Sequence, residues 1–407
     1  MNSFLDELTW RGLVYQKTPG IEEVFKKGTT LYIGFDPTAP DFHIGHLVWI
    51  LFLRRALMFG QNVIVIAGGG TALIGDPGGK DEERPILPKE VIEKNKEQAK
   101  KQLSRFIDFE GKRARMLDNS EWIEKLTLVD FLRDAGKYVP VNSMLDKEAI
   151  KTRIIRREGI SYAEFSYQLL QAYDFLLLYQ KYGCEVQIGG SDQWGNIVQG
   201  VELVRKKIGK SVYGLSFHLI VNPKTGKKFG KTEKGEAIWL NPEKTHPFAF
   251  YQYFINSDDE LAPLLMNYFS FKSKTQIMDL ISQWEKEKQN RLLQKELAYE
   301  LVELVHGKDM AFQCKRIASL LFEKGVGELS SADVEFIKTS LPYKKVGRES
   351  DFVLEQALVD LQLTSSRGEA RRLISQNGVK TEKLFGKYHV IRKGKKEYGI
   401  VEVAAFV

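Results

Sequence analysis

Between Thr30 and Val221, short runs of β-branched and apolar residues alternate with longer stretches of helical period. The runs are Thr30–Phe35, Asn62–Ala67, Arg113–Asp118, Glu185–Ile188 and Phe217–Val221. Between them lie Gly45–Phe59, Lys89–Phe109 and Tyr162–Tyr182, which carry apolar residues at helical spacing. This alternation predicts βαβ units, and hence an α/β fold with a Rossmann-like, doubly wound parallel sheet. Such sheets bind ligands beyond the C-terminal ends of their strands. Glycine-rich and polar segments follow three of the predicted strands, at Gly34–His46, Gly68–Lys80 and Gly189–Asn196.

From Pro247 to Glu323 helix formers dominate, as in Lys274–His306, and a helical domain is expected. Gly325–Leu341 is mixed and reads as a linker. Asp351 to Val407 reads as a small α+β unit: helices at Leu354–Leu361 and Ser366–Gln376, a stop at Gly378, then short strands. The expected partition is 1–242 for the sheet domain, 243–325 for the helical domain, 326–347 for a linker and 348–407 for the terminal module. No internal repeat is visible.

Charge is unevenly spread over the 407 residues. From Thr364 onward there are ten Lys and Arg against four Glu, which accounts for six of the seven net positive charges. A basic end on a nearly neutral body suits a polyanion, although a solvated surface has the same composition. The two cysteines, Cys184 and Cys314, form no CxxC pair, so a disulfide framework and a cysteine zinc site are not expected. No apolar stretch approaches a membrane span, and the first ten residues lack a secretory pattern. A cytoplasmic protein is expected.

Two motifs carry chemistry. Asp41-Phe42-His43-Ile44-Gly45-His46 sits where a strand gives way to a helix. A helix N-terminus offers free N–H groups to an anion, Gly45 permits close approach, and both imidazoles can hydrogen-bond phosphate oxygens. The same histidines could equally be caps or core residues. A metal site would need a third ligand, and His218, His246, His306 and His389 are scattered, so no metal is expected. The second motif, Lys227-Lys228-Phe229-Gly230-Lys231-Thr232, lies between Gly226 and Gly235. Its lysines can swing onto a polyphosphate, though such loops are commonly just solvated.

Together, in this order and spacing, the two motifs resemble the paired signatures of class I aminoacyl-tRNA synthetases. Four further segments resemble the bacterial-type tyrosyl-tRNA synthetases in particular. These are Tyr32-Ile33-Gly34-Phe35-Asp36-Pro37-Thr38-Ala39, Leu73-Ile74-Gly75-Asp76-Pro77, Tyr167 to Asp174, and Gln187 to Asn196. The resemblance runs from about Trp10 to the C-terminus.

The resemblance implies a tyrosine–tRNA ligase that uses ATP with Mg²⁺ as substrate and has no tightly bound cofactor. It implies that Tyr32 and Asp174 meet the phenolic hydroxyl of L-tyrosine. Asp76, Tyr167 and Gln171 would hold its α-ammonium, with Asp36 and Gln193 also on the tyrosine side. Tyr167, Gln171 and Asp174 fall at i, i+4 and i+7, so a helix would place them on one face. For ATP the resemblance implies Gly34, Gly45, Gly190 and Asp192. Thr38, His43 and His46 would act on the phosphates, and Lys80, Arg84, Lys228 and Lys231 would clamp the leaving pyrophosphate. Ile33 and Trp49 depart from the family, which has smaller or polar residues there. The resemblance further implies a homodimer with its interface in an insertion, placed here around Phe131–Ile154. It implies anticodon binding by 243–325 and an S4-like RNA-binding module at 348–407. In that module Arg367, Arg371 and Arg372, with Lys380, would face tRNA(Tyr).

Three alternatives compete. A tryptophanyl-tRNA synthetase would offer no hydroxyl to Tyr32 and Asp174. A small-molecule nucleotidyltransferase would not need the basic end. A non-catalytic RNA-binding protein on a synthetase scaffold would not need the intact His43, His46, Lys228, Lys231, Asp76 and Asp174.

Overall fold

The computed structural model describes residues 3–76, 87–156, 159–221, 229–231, 235–394 and 397–404. The chain divides into two compact units. The first holds Met1–Asn241 and Pro263–Met278, the second Pro242–Ala262 and Asp279–Val407.

The first unit is built on a six-stranded sheet. Its strands are β1 (Gln16–Lys17), β2 (Thr30–Phe35), β3 (Asn62–Ala67), β4 (Ala114–Asp118), β5 (Cys184–Gly190) and β6 (Tyr213–Phe217). Their order is β1-β6-β5-β2-β3-β4. β1 pairs antiparallel with β6, and every other pair is parallel. β3 is buried along its length after Asn62, as expected of a strand covered on both faces. The chain winds outward from the β2–β5 pair in both directions, which opens a crevice at the tips of these two strands.

The principal helices are locally well specified. Tyr162–Tyr182 starts at Ser161, whose hydroxyl accepts from the Glu164 N–H at 3.1 Å, and ends at Gly183 with φ +60°. Ile44–Met58 follows β2 and is buried along most of its length. From Lys89–Leu103, Asn95 Nδ2 donates to the Pro37 carbonyl (2.9 Å) and Gln102 Oε1 accepts from the Phe42 N–H (3.0 Å). These bonds fix the loop that leaves β2.

Two expectations are corrected here. The strand expected at Phe217–Val221 lies earlier, at Tyr213–Phe217, because its register runs opposite Val186–Gly190 of β5 and both strands end level. The helix-rich stretch Lys274–His306 holds two helices, Lys274–Lys286 and Leu292–His306, with Arg291 between them at φ +54°. Residues 263–278 belong with the first unit rather than with a helical domain. Buried Arg11 and Arg55 draw the end of this segment in. They donate to the Ser270 carbonyl at 2.8 and 2.7 Å, and Arg11 also reaches the Asn267 carbonyl at 2.9 Å.

The second unit combines helices, among them Pro247–Ile255, Leu292–His306 and Lys308–Ser319, with a four-stranded sheet. The sheet strands are β7 (Tyr343–Val346), β8 (Val379–Leu384), β9 (Tyr388–Lys393) and β10 (Glu397–Val403), in the order β7-β10-β9-β8. The stretch expected to be a linker, 326–347, is instead structured. Ser330 and Asp333 form a capping box for the helix Ser331–Ile337, and β7 pairs parallel with Ile400–Val403. Leu354–Asp360 and Arg367–Ser375 pack on this sheet through Ala357, Leu358, Ala370, Ile391 and Val401. Among the described residues no helix is long and apolar enough to cross a membrane.

Candidate active site

A cavity of about 510 Å³ opens at the tips of β2 and β5. Among the described residues it collects every predicted tyrosine-side residue: Tyr32, Asp36, Asp76, Tyr167, Gln171, Asp174 and Gln193. From the nucleotide side it takes Gly34, Thr38, His43, Gly45, His46, Gly190, Asp192 and Lys231. Lys80, Arg84 and Lys228 lie outside the described residues.

At the apolar end, Tyr32 projects from β2 against Phe175, with ring centroids 5.2 Å apart. Its hydroxyl is buried and has no hydrogen-bond partner among the described residues. Burial first, then the Asp174 charge, pushes its pKa well up, so the hydroxyl keeps its proton. Asp174 comes from the helix Tyr162–Tyr182 and is also buried. Burial raises its carboxyl to about 7, against the opposing hydrogen bonds of Asn119 and Trp122. Trp122 Nε1 donates to Oδ1 at 2.7 Å and Asn119 Nδ2 to Oδ2 at 3.0 Å. Neither residue was singled out in the sequence. Their one signal was position, just past the tip of β4. The cavity therefore ends in an unpartnered hydroxyl and a carboxylate held by two donors. A buried polar pair of this kind suits a ligand hydroxyl.

Asp36, at the exit of β2, accepts from Tyr167 Oη (3.0 Å) and Thr71 Oγ1 (2.8 Å). Gly68 makes room for this: a Cβ there would collide with Asp36 Oδ1 and Thr71 Oγ1. Asp76 accepts from Gln193 Nε2 at 2.7 Å and pairs with Lys147 Nζ at 3.2 Å. Asn196 Nδ2 donates to Gln171 Oε1 (2.9 Å) and Gln193 Oε1 (3.0 Å), tying the two amides together. Asn196 and Lys147 are further residues with no predicted role.

His43 and His46 act as caps. Nδ1 of His43 accepts from the Gly45 N–H at 3.0 Å, and Nδ1 of His46 accepts from the His43 N–H at 3.2 Å. The capping and phosphate readings are therefore compatible. An Nδ1 that accepts carries no proton, which assigns the proton of each neutral ring to Nε2 as a donor. Burial, then Lys231, lowers the His43 pKa; burial, then His43, lowers that of His46 to about 3. Both rings are neutral at physiological pH. A Cβ on Gly45 would come within 2.8 Å of the His43 ring, so this capped geometry needs glycine. Lys231 is brought to the same site by backbone bonds: the Phe229 N–H donates to the Ile220 carbonyl (2.8 Å) and the Ile238 N–H to the Gly230 carbonyl (3.0 Å).

Asp192 is exposed in the turn that follows β5. Ile33 and Trp49 line the cavity, with Trp49 stacked on Phe35 at 6.0 Å and 20°. Arg367, Arg371 and Arg372 are exposed on one short helix, and Lys380 is exposed on β8. Arg367 Nε donates to Gln356 Oε1 at 2.5 Å.

A capped helix and a lysine segment meeting over the crevice of a doubly wound sheet define the nucleotide-activating core of a class I aminoacyl-tRNA synthetase. The family model "tRNA synthetases class I (W and Y)" matches residues 26–323. The chain is 40% identical to the tyrosine–tRNA ligase of Roseiflexus castenholzii, over 99% of this chain and all of that protein. It is 43% identical to that of Geobacillus stearothermophilus, over 98% of this chain and 99% of that one. A C-terminally truncated mitochondrial tyrosyl-tRNA synthetase from Aspergillus nidulans superposes with a TM-score of 0.70 at 30% identity, covering 79% of this chain and 95% of that structure. The chain belongs to the tyrosine–tRNA ligase family.

Proposed function

We propose that the chain activates L-tyrosine with MgATP to give tyrosyl-adenylate and pyrophosphate, then transfers the tyrosyl group to the 3′-terminal ribose of tRNA(Tyr) with release of AMP. The observation that carries this reading is the buried, unpartnered Tyr32 hydroxyl in the same cavity as the carboxylate of Asp174. A ligand phenol satisfies both groups, whereas an indole or phenyl ring leaves them unpaired at the cost of their desolvation.

Asp76, with Tyr167 and Gln171, receives the α-ammonium, a cation suited to a carboxylate among neutral acceptors. Asp36 holds Tyr167 in place, and Gln193 lies near the substrate carboxylate. Gly34, Gly190 and Asp192 take the nucleoside. Asp192 takes the ribose, and the apolar Ile33 and Trp49 line the cavity beside it.

The first step needs no enzyme nucleophile and no general base. A carboxylate oxygen of tyrosine attacks the α-phosphorus, the new C–O–P bond forms, and the bond to the β-phosphate oxygen breaks. Charge builds on phosphate oxygens, so positioned donors and cations set the rate. Neutral His43 and His46 donate through Nε2, beside Thr38. Lys231 acts with Lys228, Lys80 and Arg84 on the departing pyrophosphate. Magnesium enters with ATP, liganded by its phosphates.

The helices of 243–262 and 279–325, which share the second unit, and the S4-like module 348–407 bind tRNA. Arg367, Arg371, Arg372 and Lys380 contact phosphates and position the RNA more than they read its sequence. The chain works as a homodimer in the cytoplasm. Leu132 (42% exposed), Val141 (58%) and Ile154 (47%) put apolar surface on the inserted segment, which supports an interface there. Sedimentation should give a dimer, and a stable, active monomer would contradict this. The substrate assignment is tested by equilibrium binding of labelled tyrosine. Asp174→Asn should bind at least about tenfold more weakly, since a hydrogen bond to a charged group is lost. Unchanged affinity would refute it.

A further inference from the structure

Asp76 already has a cation. Lys147 Nζ lies 3.2 Å from its Oδ1, and the two side chains are only 7% and 9% exposed. Its other oxygen accepts from Gln193. A carboxylate this buried is costly unless it is paired and hydrogen-bonded, and Lys147 meets that need. Asp76 also receives the α-ammonium of tyrosine. A lysine head and an α-ammonium carry the same charge and the same donors. Two of them on one buried carboxylate repel each other, so one must give way.

The surroundings point to the lysine. Asp76 and Gln193 are tied through Asn196 to Gln171. Lys147 sits at the junction between two short helices, Val141–Leu145 and Glu148–Ile155. Its stem passes Gly195, where an added Cβ would stand 3.5 Å from the Lys147 Cγ, in ordinary contact. The lysine head can withdraw on its flexible stem without disturbing the hydrogen-bonded amides.

We propose that Lys147 is an internal competitor of the substrate amine: it neutralises Asp76 until the α-ammonium of tyrosine displaces it. Lys147 thereby sets the affinity for tyrosine and makes an amine a condition for clearing the site. The inference rests on the assignment of Asp76 to the ammonium.

The test measures Kd by calorimetry for tyrosine, tyrosinol and 3-(4-hydroxyphenyl)propionate, with the full chain, Lys147→Met and Asp76→Asn. Lys147→Met should bind the two amines about tenfold more tightly, because occupancy by the lysine no longer reduces the competent fraction. It should bind the amine-free acid no more tightly. Its Tm should lie below wild type without ligand and converge on it with saturating tyrosinol. On wild-type protein, mass-spectrometric lysine acylation should find Lys147 protected alone and reactive with tyrosinol bound. This footprint keeps the inference testable if Lys147→Met fails to fold. Weaker amine binding by Asp76→Asn, with unchanged or weaker binding by Lys147→Met, would overturn the Lys147 inference alone. So would a Lys147 equally protected in both states. Unchanged amine binding by Asp76→Asn would overturn the ammonium assignment and this inference with it.

Discussion

Trp122→Phe should shift the pH dependence of tyrosine binding. In the folded chain Trp122 Nε1 donates to Asp174 at 2.7 Å, and this bond favours the ionised carboxylate. Burial nevertheless raises the Asp174 pKa to about 7. A hydrogen bond to a charged group contributes about 1.5–3 kcal/mol, and about 1.4 kcal/mol corresponds to one pH unit. Removing the donor should therefore raise the midpoint by about one to two pH units. The phenol hydroxyl donates best to a carboxylate, so tyrosine affinity rises as pH passes through the Asp174 pKa. At pH 7 the ionised fraction in Trp122→Phe falls from about half to about 1–10%, and the apparent Kd rises by about five- to fiftyfold. The gap should narrow by pH 9. Equilibrium dialysis with labelled tyrosine between pH 6 and 9 reads this directly. A smaller ring that merely loosened packing would weaken binding equally at every pH. A midpoint that stays near 7, or moves down, would refute the reasoning.

The same carboxyl affects stability. Its folded pKa lies above the unfolded value, so its contribution is fully present below about pH 4 and is lost as pH rises through about 7. Asp174→Asn should remove this component, and chemical denaturation at pH 5 and pH 8 measures it. NMR titration should find His46 neutral, with its proton on Nε2, down to at least about pH 5; a midpoint near 6.5 would contradict the capped geometry. Lys231→Ala should slow adenylate formation by about 2–4 kcal/mol in transition-state stabilisation, and pre-steady-state rates at wild-type level would count against its role. Arg371→Glu should weaken tRNA charging and reduce its salt dependence by about one phosphate contact. Pyrophosphate exchange, which needs no tRNA, reports separately on the first step.

Local features of this fold were the most legible. Tyr162–Tyr182 has the bounds read from its period, because Ser161 caps it and Gly183 ends it. The stripe of Tyr167, Gln171 and Asp174 lies on one helix face and reaches the cavity. Long-range contacts were not legible. Asn119 and Trp122 act on Asp174 across more than fifty residues, and Lys147 reaches Asp76 across 71. A lone Asn, Trp or Lys in a loop carries no periodicity that would mark such a partner. The strand at Tyr343–Val346 escaped for the same reason. It is mostly exposed, and its pairing with Ile400–Val403 closes a long loop.

Exchange of labelled pyrophosphate into ATP, assayed with each of the twenty amino acids in turn, tests most directly the assignment of tyrosine as the substrate. Tyrosine should support rapid exchange, with phenylalanine and tryptophan near background, because only tyrosine satisfies Tyr32 and Asp174 together. No exchange with tyrosine, or comparable exchange with phenylalanine, would contradict it.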